Sequence, residues 1–203
     1  MKRLIMSGLM VTSILITGVA SASIVNGSFE APDVKSGSWQ VFTDIPGWIA
    51  TGAGAEVRDN VAGSAYDGDQ FIELDSYSNS AIEQTIDTIA GSPYEITWAY
   101  SPRMGKLNAN TNGIAIYWND ELLDEIALSG VGNSDNVWTL LTTDVTGSGS
   151  DTLKFVATGV SDAMGGSLDA ISIQVVPVPA AVWLFGSALA GLLSLRRLSV
   201  KAD

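Results

Sequence analysis

The stretch Gln70-Phe71-Ile72-Glu73-Leu74-Asp75 alternates apolar and polar side chains with a period of two residues. Ile72 and Leu74 therefore fall on one face of an extended strand, and Glu73 and Asp75 fall on the other. The same period recurs at residues 94–100, 114–119, 137–141, 153–157 and 168–175, and shorter apolar segments lie at residues 24–25, 39–42, 48–51, 82–86 and 122–126. The middle of the chain keeps no helical period for long. The pattern predicts about ten strands.

Clusters of Gly, Asn, Asp and Ser separate these segments, for example at residues 62–64, 129–136 and 147–151. Many short strands with turn signals between them are typical of a β-sandwich. About ten strands suit a jelly roll better than a seven-stranded immunoglobulin sandwich. We therefore predict one all-β jelly-roll domain over residues 23–175.

Residues 1–22 have the features of a secretory signal peptide. Lys2 and Arg3 precede an apolar region, and Ala20-Ser21-Ala22 provides an Ala-x-Ala cleavage site. The alternative is an uncleaved N-terminal anchor. Either interpretation predicts that the domain is exported through the inner membrane.

The C-terminal segment, residues 176–203, has the features of a short membrane anchor. Residues 175–195 are an uncharged stretch of 21 residues, followed by Arg196 and Arg197. A helix over residues 180–195 would be roughly 24 Å long, which is shorter than the roughly 30 Å of a hydrocarbon core. The arginines favour the cytoplasmic side. The alternative is a buried C-terminal helix of a soluble domain.

The order of Pro177-Val178-Pro179, a small-residue apolar helix and Arg196-Arg197 resembles the PEP-CTERM sorting signal. That signal is found in Gram-negative bacteria that secrete exopolysaccharide. The resemblance implies recognition by an exosortase, a membrane protease-transpeptidase, and a final location at the cell surface or in the extracellular matrix. Here valine replaces the acidic residue of the namesake Pro-Glu-Pro motif.

Charge and composition exclude several function classes. Residues 23–175 carry 21 acidic residues against five basic ones, so binding to nucleic acid is excluded. The chain has no Cys and no His, which excludes Ser-His-Asp and Cys-His nucleophiles and the usual zinc sites. Only carboxylate-pair chemistry, such as that of a glycosidase, is left. With 21 acids in one domain such pairs arise by chance, and we predict no catalytic activity.

Two motifs near the ends of the domain carry a second resemblance. Asn26-Gly27-Ser28-Phe29-Glu30 and Leu168-Asp169-Ala170-Ile171-Ser172-Ile173 resemble the first and last strands of galactose-binding-like jelly rolls, which include many carbohydrate-binding modules. The resemblance implies a structural Ca²⁺ bound by Glu30 and Asp169, and Ca²⁺ does prefer oxygen ligands. Asp162 is a further possible ligand. The alternative is that these carboxylates accept hydrogen bonds from turn N–H groups.

Sugar-binding modules of this fold stack a pyranose ring on an exposed aromatic side chain and bind its hydroxyls with polar residues. Trp98, Tyr100 and Trp118 have the parity of core residues, whereas Tyr117 has the opposite parity and is a candidate platform. Its alternative is solvent exposure without a function.

Arg103 follows a Ser-Pro turn beside a polar loop that contains Asn110 and Asn112. These three residues are candidate ligand contacts, and an ion pair is the alternative role of Arg103. The sequence thus predicts an exported, non-catalytic protein that binds extracellular polysaccharide. The alternative is a structural matrix protein with no small ligand.

Overall fold

A computed structural model of the protein describes residues 22–105 and 109–177. These residues form twelve strands and one 3-10 turn, so the prediction of an all-β domain is confirmed. Within the same two ranges no helix is long and apolar enough to cross a membrane. The predicted signal peptide and the predicted sorting helix at residues 180–195 lie outside the described residues.

The strands divide equally between two antiparallel sheets. In chain order they are β1 (Ser38–Phe42), β2 (Asp44–Ile45), β3 (Trp48–Thr51), β4 (Ala55–Asp59), β5 (Gln70–Glu73), β6 (Ala81–Asp87), β7 (Pro93–Ser101), β8 (Gly113–Trp118), β9 (Glu121–Ile126), β10 (Thr139–Thr146), β11 (Ser150–Thr158) and β12 (Ser167–Val175). Sheet A has the order β1-β4-β5-β12-β7-β10, and sheet B has the order β2-β3-β6-β11-β8-β9.

The inward faces of the two sheets form one hydrophobic core. Trp98 on β7 packs edge-on against Phe155 on β11, with ring centroids 6.0 Å apart. Trp98, Tyr100 and Trp118 are all buried, as their parity predicts. Removal of this apolar area from water is the main force that holds the sheets together.

The sequence-based strand predictions differ from the structure at residues 24–25, at β2 and β4, which were not predicted, and at residues 137–141, where β10 begins only at Thr139. Residues 24–25 form no strand, because the Gln84 side chain takes both hydrogen bonds of Val25, accepting from its N–H (2.8 Å) and donating to its carbonyl (3.0 Å). Strand β4 was not predicted, although Ala55-Glu56-Val57-Arg58 alternates in polarity. All five β4 residues are buried, including Glu56 and Arg58.

Candidate ligand-binding site on the outward face of sheet A

A row of polar residues crosses the face of sheet A that points away from the core. Glu56 on β4 pairs with Glu73 on β5, Glu73 pairs with Ser167 on β12, and Ser167 pairs with Ser101 on β7. Paired residues lie on the same face of a sheet. All four are nonetheless buried, because loops cross this face and cover it. The parity of Glu73 is as predicted, but its side chain has no exposed surface.

The carboxylate of Glu73 is the centre of a buried ion network. It forms ion pairs with Arg58 and with Arg103, whose Nη1 lies 2.6 Å from Glu73 Oε2. Arg58 Nε also contacts Glu56 Oε1 at 2.5 Å, and the Gly165 N–H donates to Glu73 Oε1 at 2.5 Å. Burial raises the pKa of Glu73 to about 7, although the two arginines and the Gly165 N–H act to lower it.

Two polar atoms on this face have no hydrogen-bond partner although they are buried. They are Arg58 Nη1 and Ser167 Oγ, and neither side chain has more than 3% of its surface exposed. Most buried polar groups in folded proteins are paired. The face therefore retains unused hydrogen-bonding capacity next to Glu73.

Asp169, two residues beyond Ser167 on β12, binds the covering loop. Its Oδ2 accepts hydrogen bonds from the N–H groups of Tyr66 (2.7 Å) and Asp67 (3.0 Å). Burial raises the pKa of Asp169 to about 7, and the nearby charge of Asp67 also acts to raise it. The hydrogen bonds from the N–H groups of Tyr66, Asp67 and Ala170 act to lower it. The carboxylate is thus buried under the loop that it holds.

Glu30 holds the other end of the same loop. Its Oε1 accepts hydrogen bonds from the N–H groups of Asp69 (3.0 Å) and Gln70 (2.9 Å). Gly68, between the two anchored ends, has φ +72°, and a Cβ on it would lie 2.3 Å from Glu30 Oε1. The loop therefore requires glycine at this position.

Both predicted calcium ligands accept hydrogen bonds from turn N–H groups. Asp162 is exposed, and its N–H donates to Asp75 Oδ2 at 2.9 Å. Among residues 22–105 and 109–177, no three His, Cys, Asp or Glu side chains form a group that could hold a metal ion. Carboxylate oxygens such as those of Glu30 and Asp169 are ligands that Ca²⁺ prefers. Binding of calcium by these two residues stays a prediction.

An aromatic pair lies at the rim of the covered face. The rings of Tyr66 and Trp138 are 6.2 Å apart in an edge-on arrangement, and Trp138 packs edge-on against the buried Phe71 at 5.8 Å. Tyr66 is 47% exposed. Trp138 Nε1 donates to the carbonyl of Ser64 at 2.9 Å, and Ser64 also bonds to the exposed Asp135. Trp138 is therefore held in place and only partly exposed, whereas the ring of Tyr66 beside it is open to solvent.

Arg103 and Asn112 are joined beyond the end of β7, and Asn110 lies two residues before Asn112, where its carbonyl accepts from the Val160 N–H at 2.8 Å. The main-chain N–H of Arg103 donates to Asn112 Oδ1 at 2.9 Å, and Asn112 Nδ2 donates to the carbonyl of Leu128 at 3.1 Å. Asn112 has no exposed surface, whereas Asn110, in the 3-10 turn, is exposed. Arg103 is partly exposed and forms the ion pair that sequence reasoning named as its alternative role.

Tyr117 is on the other side of the sandwich. It lies on β8 of sheet B, where it pairs with Lys154 and Leu122 and points away from the core. Arg103 reaches Glu73 on the outward face of sheet A. The structure therefore does not bring Tyr117 and Arg103 into one site.

Sequence reasoning missed Arg58, Tyr66 and Trp138 as members of a site. The signal that could have identified Arg58 is its place in an alternating segment as one of only five basic residues in the domain. Tyr66 lies in a loop, where periodicity predicts nothing about orientation. Trp138 lies in the segment 137–141 that was predicted as a strand, but β10 begins only at Thr139.

Comparison with known proteins shows the fold alone. No protein-family model matches the sequence, and no curated protein matches it significantly. The Stig cyclase Fisc from Fischerella sp. TAU, solved in complex with (3Z)-3-(1-methyl-2-pyrrolidinylidene)-3H-indole, is similar in structure, with a TM-score of 0.55 and 16% identity over 78% of this chain and 100% of the cyclase chain. A family 35 carbohydrate-binding module (CBM35) from Paenibacillus barcinonensis has a TM-score of 0.43 and 23% identity over 70% of this chain and 100% of its own. A family 35 module from Clostridium thermocellum has a TM-score of 0.43 and 13% identity over 67% of this chain and 97% of its own. The protein thus shares its β-sandwich fold with the cyclase, and at 16% identity no shared activity follows.

Proposed function

We propose that the protein is an exported surface or extracellular-matrix protein whose sandwich binds extracellular carbohydrate without catalysing a reaction. The assignment of the sandwich to the galactose-binding-like jelly rolls is part of this proposal. The observation that carries it is the pair of Tyr66, which is exposed, and Trp138, which is partly exposed, next to polar groups.

A sugar ring has apolar C–H faces and hydroxyls at its edge, so its binding site needs an aromatic surface with hydrogen-bonding groups around it. Tyr66 and Trp138 supply such a surface, and their edge-on contact is a stable aromatic geometry. The exposed carboxylates of Asp67 and Asp135 lie in the loops that carry the pair. Ligand sites commonly combine aromatic walls with a few fixed polar groups.

We propose no catalytic activity because the two carboxyls with a raised pKa are buried and cannot reach a substrate. Glu73 and Asp169, the two carboxyls with a pKa of about 7, have no exposed surface. A general acid or base must come within hydrogen-bonding distance of its substrate. The same burial favours the second candidate function, a structural matrix protein in which the ion network only stabilises the sandwich.

Export and sorting are the other part of the proposal. Pro177 is exposed and follows directly after Val176, whose N–H donates to the carbonyl of Pro93 at 3.0 Å. The proposed sorting motif, Pro177, Pro179, Arg196 and Arg197, therefore begins where the sandwich ends. An exosortase would act on this segment after the C-terminal helix has anchored the protein in the inner membrane. Mass spectrometry of both termini, on protein from its native host, tests processing.

Binding is tested by affinity gel electrophoresis against a panel of soluble neutral and acidic polysaccharides. The wild-type protein is expected to be retarded by at least one of them, and Trp138→Ala and Tyr66→Ala are expected to reduce the retardation. Tyr77→Ala is the matched control for Tyr66→Ala, because Tyr77 is 67% exposed and lies beyond the opposite end of β5 from Tyr66. Equal retardation of the wild type and Trp138→Ala, with both proteins folded, would rule out this site.

A further inference from the structure

A cleft of about 540 Å³ lies at the end of the sandwich where β7 begins and where β8, β10 and β12 end. Its apolar walls come from both sheets and are formed by Pro93, Trp118, Leu123, Val145 and Val176. The Trp118 side chain joins the two walls, because its Nε1 donates to the carbonyl of Thr146 at 3.2 Å. The volume is in the range of ligand-binding clefts, roughly 300–1,000 Å³.

The rim of this cleft is negatively charged. Glu121, at the start of β9, pairs with Trp118, whose side chain is in the core, so both side chains lie on the inner face of sheet B. The next residue, Leu122, pairs with Tyr117 and lies on the outer face, with 52% of its surface exposed. Glu121 and Asp144 both line the cleft and are exposed. Such a rim repels an acidic occupant and admits an uncharged one.

The chain leaves the sandwich inside this cleft. Val176 is part of the lining, and its N–H donates to the carbonyl of Pro93 at 3.0 Å. A residue advances the chain by at most about 3.6 Å, so Val178 and Pro179 lie within about 7 and 11 Å of Val176. The distance from β12 across β7 to β10 is two strand spacings, or about 9.6 Å at about 4.8 Å each. The residues after Val176 are therefore long enough to cross the cleft and cannot lie far from it.

These residues also have the composition that the cleft admits. Residues 178–195 carry no charge. Pro177 and Pro179 have a restricted φ and favour extended backbone in the residues before them, so the segment has little conformational entropy to lose on binding. Aromatic-lined grooves commonly bind extended proline-rich segments, and Trp118 is the aromatic side chain here. Because the segment is tethered at Val176, its effective concentration is in the mM range, and a separate partner would have to compete with it.

We propose that residues 178–181 dock in this cleft, with Val178 against Trp118 and Leu123. The sorting motif is then held against the sandwich instead of lying in a free tether. A processing enzyme has to take the segment out of the cleft before it cuts, so the sandwich restrains its own release. This consequence for processing rests on the proposed function.

Cysteine cross-linking tests the contact in the full-length protein, kept in detergent micelles. The chain has no Cys, so Glu121→Cys with Val178→Cys introduces the only two thiols. Mild oxidation is expected to join them in most molecules, because a disulfide forms where the Cα atoms lie within about 7 Å. Leu122→Cys with Val178→Cys is the matched control. It is expected to give roughly fivefold less disulfide, because Leu122 faces away from the cleft.

The cross-link is read by cleavage after lysine. Lys154 lies between the two cysteine positions, so the two fragments stay together without reductant only where the disulfide has formed. Their summed mass distinguishes a link within one chain from a link between two chains. Circular dichroism checks that both variants are folded.

Proteolysis tests the shielding of the segment. Val178→Asp puts a carboxylate next to Glu121 and Asp144 and is expected to drive the segment out of the cleft. A protease of broad specificity should then cut within residues 178–181 roughly tenfold faster than in the wild type, because cleavage follows the population of the open form. Val200→Asp, the same substitution beyond the two arginines, is the control and should be cut at the wild-type rate. Mass spectrometry identifies the cleavage sites.

The outcomes separate this inference from the proposed function. Equal disulfide yields for the Glu121 and Leu122 pairs overturn the inference, and so does equally fast cleavage of the wild type and Val178→Asp. Neither measurement needs a polysaccharide or an exosortase. If the Glu121 pair cross-links selectively while no polysaccharide retards the protein and its termini are unprocessed in the host, docking stands and the proposed function alone fails.

Discussion

Replacement of Glu73 by glutamine is expected to remove the contribution of Glu73 to the pH dependence of the free energy of unfolding. Glu73 is fully buried, between Arg58 and Arg103. Glutamine has nearly the same shape and keeps an oxygen for the Gly165 N–H, but it cannot ionise. The variant therefore tests the titration of Glu73 with little change in packing.

The magnitude follows from the difference between the two pKa values of this carboxyl. The ordinary pKa of this carboxyl is 4.5, and burial raises it to about 7 in the folded protein. Between these values the unfolded chain has released the proton and the folded protein still binds it, so the free energy of unfolding falls as pH rises. At 1.36 kcal/mol per pKa unit, the loss from pH 4.5 to above pH 7 is about 3 kcal/mol. Stability from this group is therefore greatest below pH 4.5 and is lost as pH rises through 7.

Urea unfolding followed by circular dichroism between pH 5 and pH 8.5 measures this effect. The wild-type free energy of unfolding should fall more steeply than that of Glu73→Gln, by roughly 2–3 kcal/mol over this range. The absolute stability of the variant also changes, because Arg58 loses a partner, but arginine does not titrate in this range. Glu83→Gln, a partly exposed glutamate on β6, is the control and should follow the wild type. Parallel curves for the wild type and Glu73→Gln would refute the reasoning.

Three further predictions concern the loop, the core and the metal. Gly68→Ala should lower the free energy of unfolding by about 1–3 kcal/mol, because its Cβ would meet the Glu30 side chain. The control is Gly37→Ala, which has a similar positive φ and no atom within 4 Å of its Cβ. Its free energy of unfolding should fall by less in the same urea titration. Trp98→Ala should lose about 3–5 kcal/mol, measured by chemical denaturation, because it empties the centre of the core. If Glu30 and Asp169 hold calcium, EDTA should lower the melting temperature by about 10 °C, and an unchanged melting curve after chelation would exclude that site.

Much of the fold was predictable because strand periodicity is local. The alternation around Ile72 and Leu74 correctly predicts which residues enter the core, and the parity of Trp98 does the same on β7. Periodicity distinguishes the two faces of a strand, but it does not show what covers the outer face. Glu73 was therefore placed on the right side of its strand, but its burial under loops could not be predicted.

The candidate site depends on contacts between residues that are far apart in the chain. Gly165, which donates to Glu73, is 92 residues away from it, and Tyr66, which donates to Asp169, is 103 residues away. These contacts arise because β12 lies between β5 and β7 in sheet A. Sequence reasoning could name Arg103 and Asp169, but it could not identify their partners.

The sequence by itself determined the all-β class, the acidic and cysteine-free character of the domain and the exclusion of histidine- and cysteine-based chemistry. These properties depend on composition and on spacing within single strands. Only the tertiary structure decided that Tyr117 and Arg103 face opposite ways and that Arg58 joins Glu73 in a buried ion network. The physical reason is that strand order and loop closure, which set these contacts, depend on the free energy of the whole fold and not on any one segment.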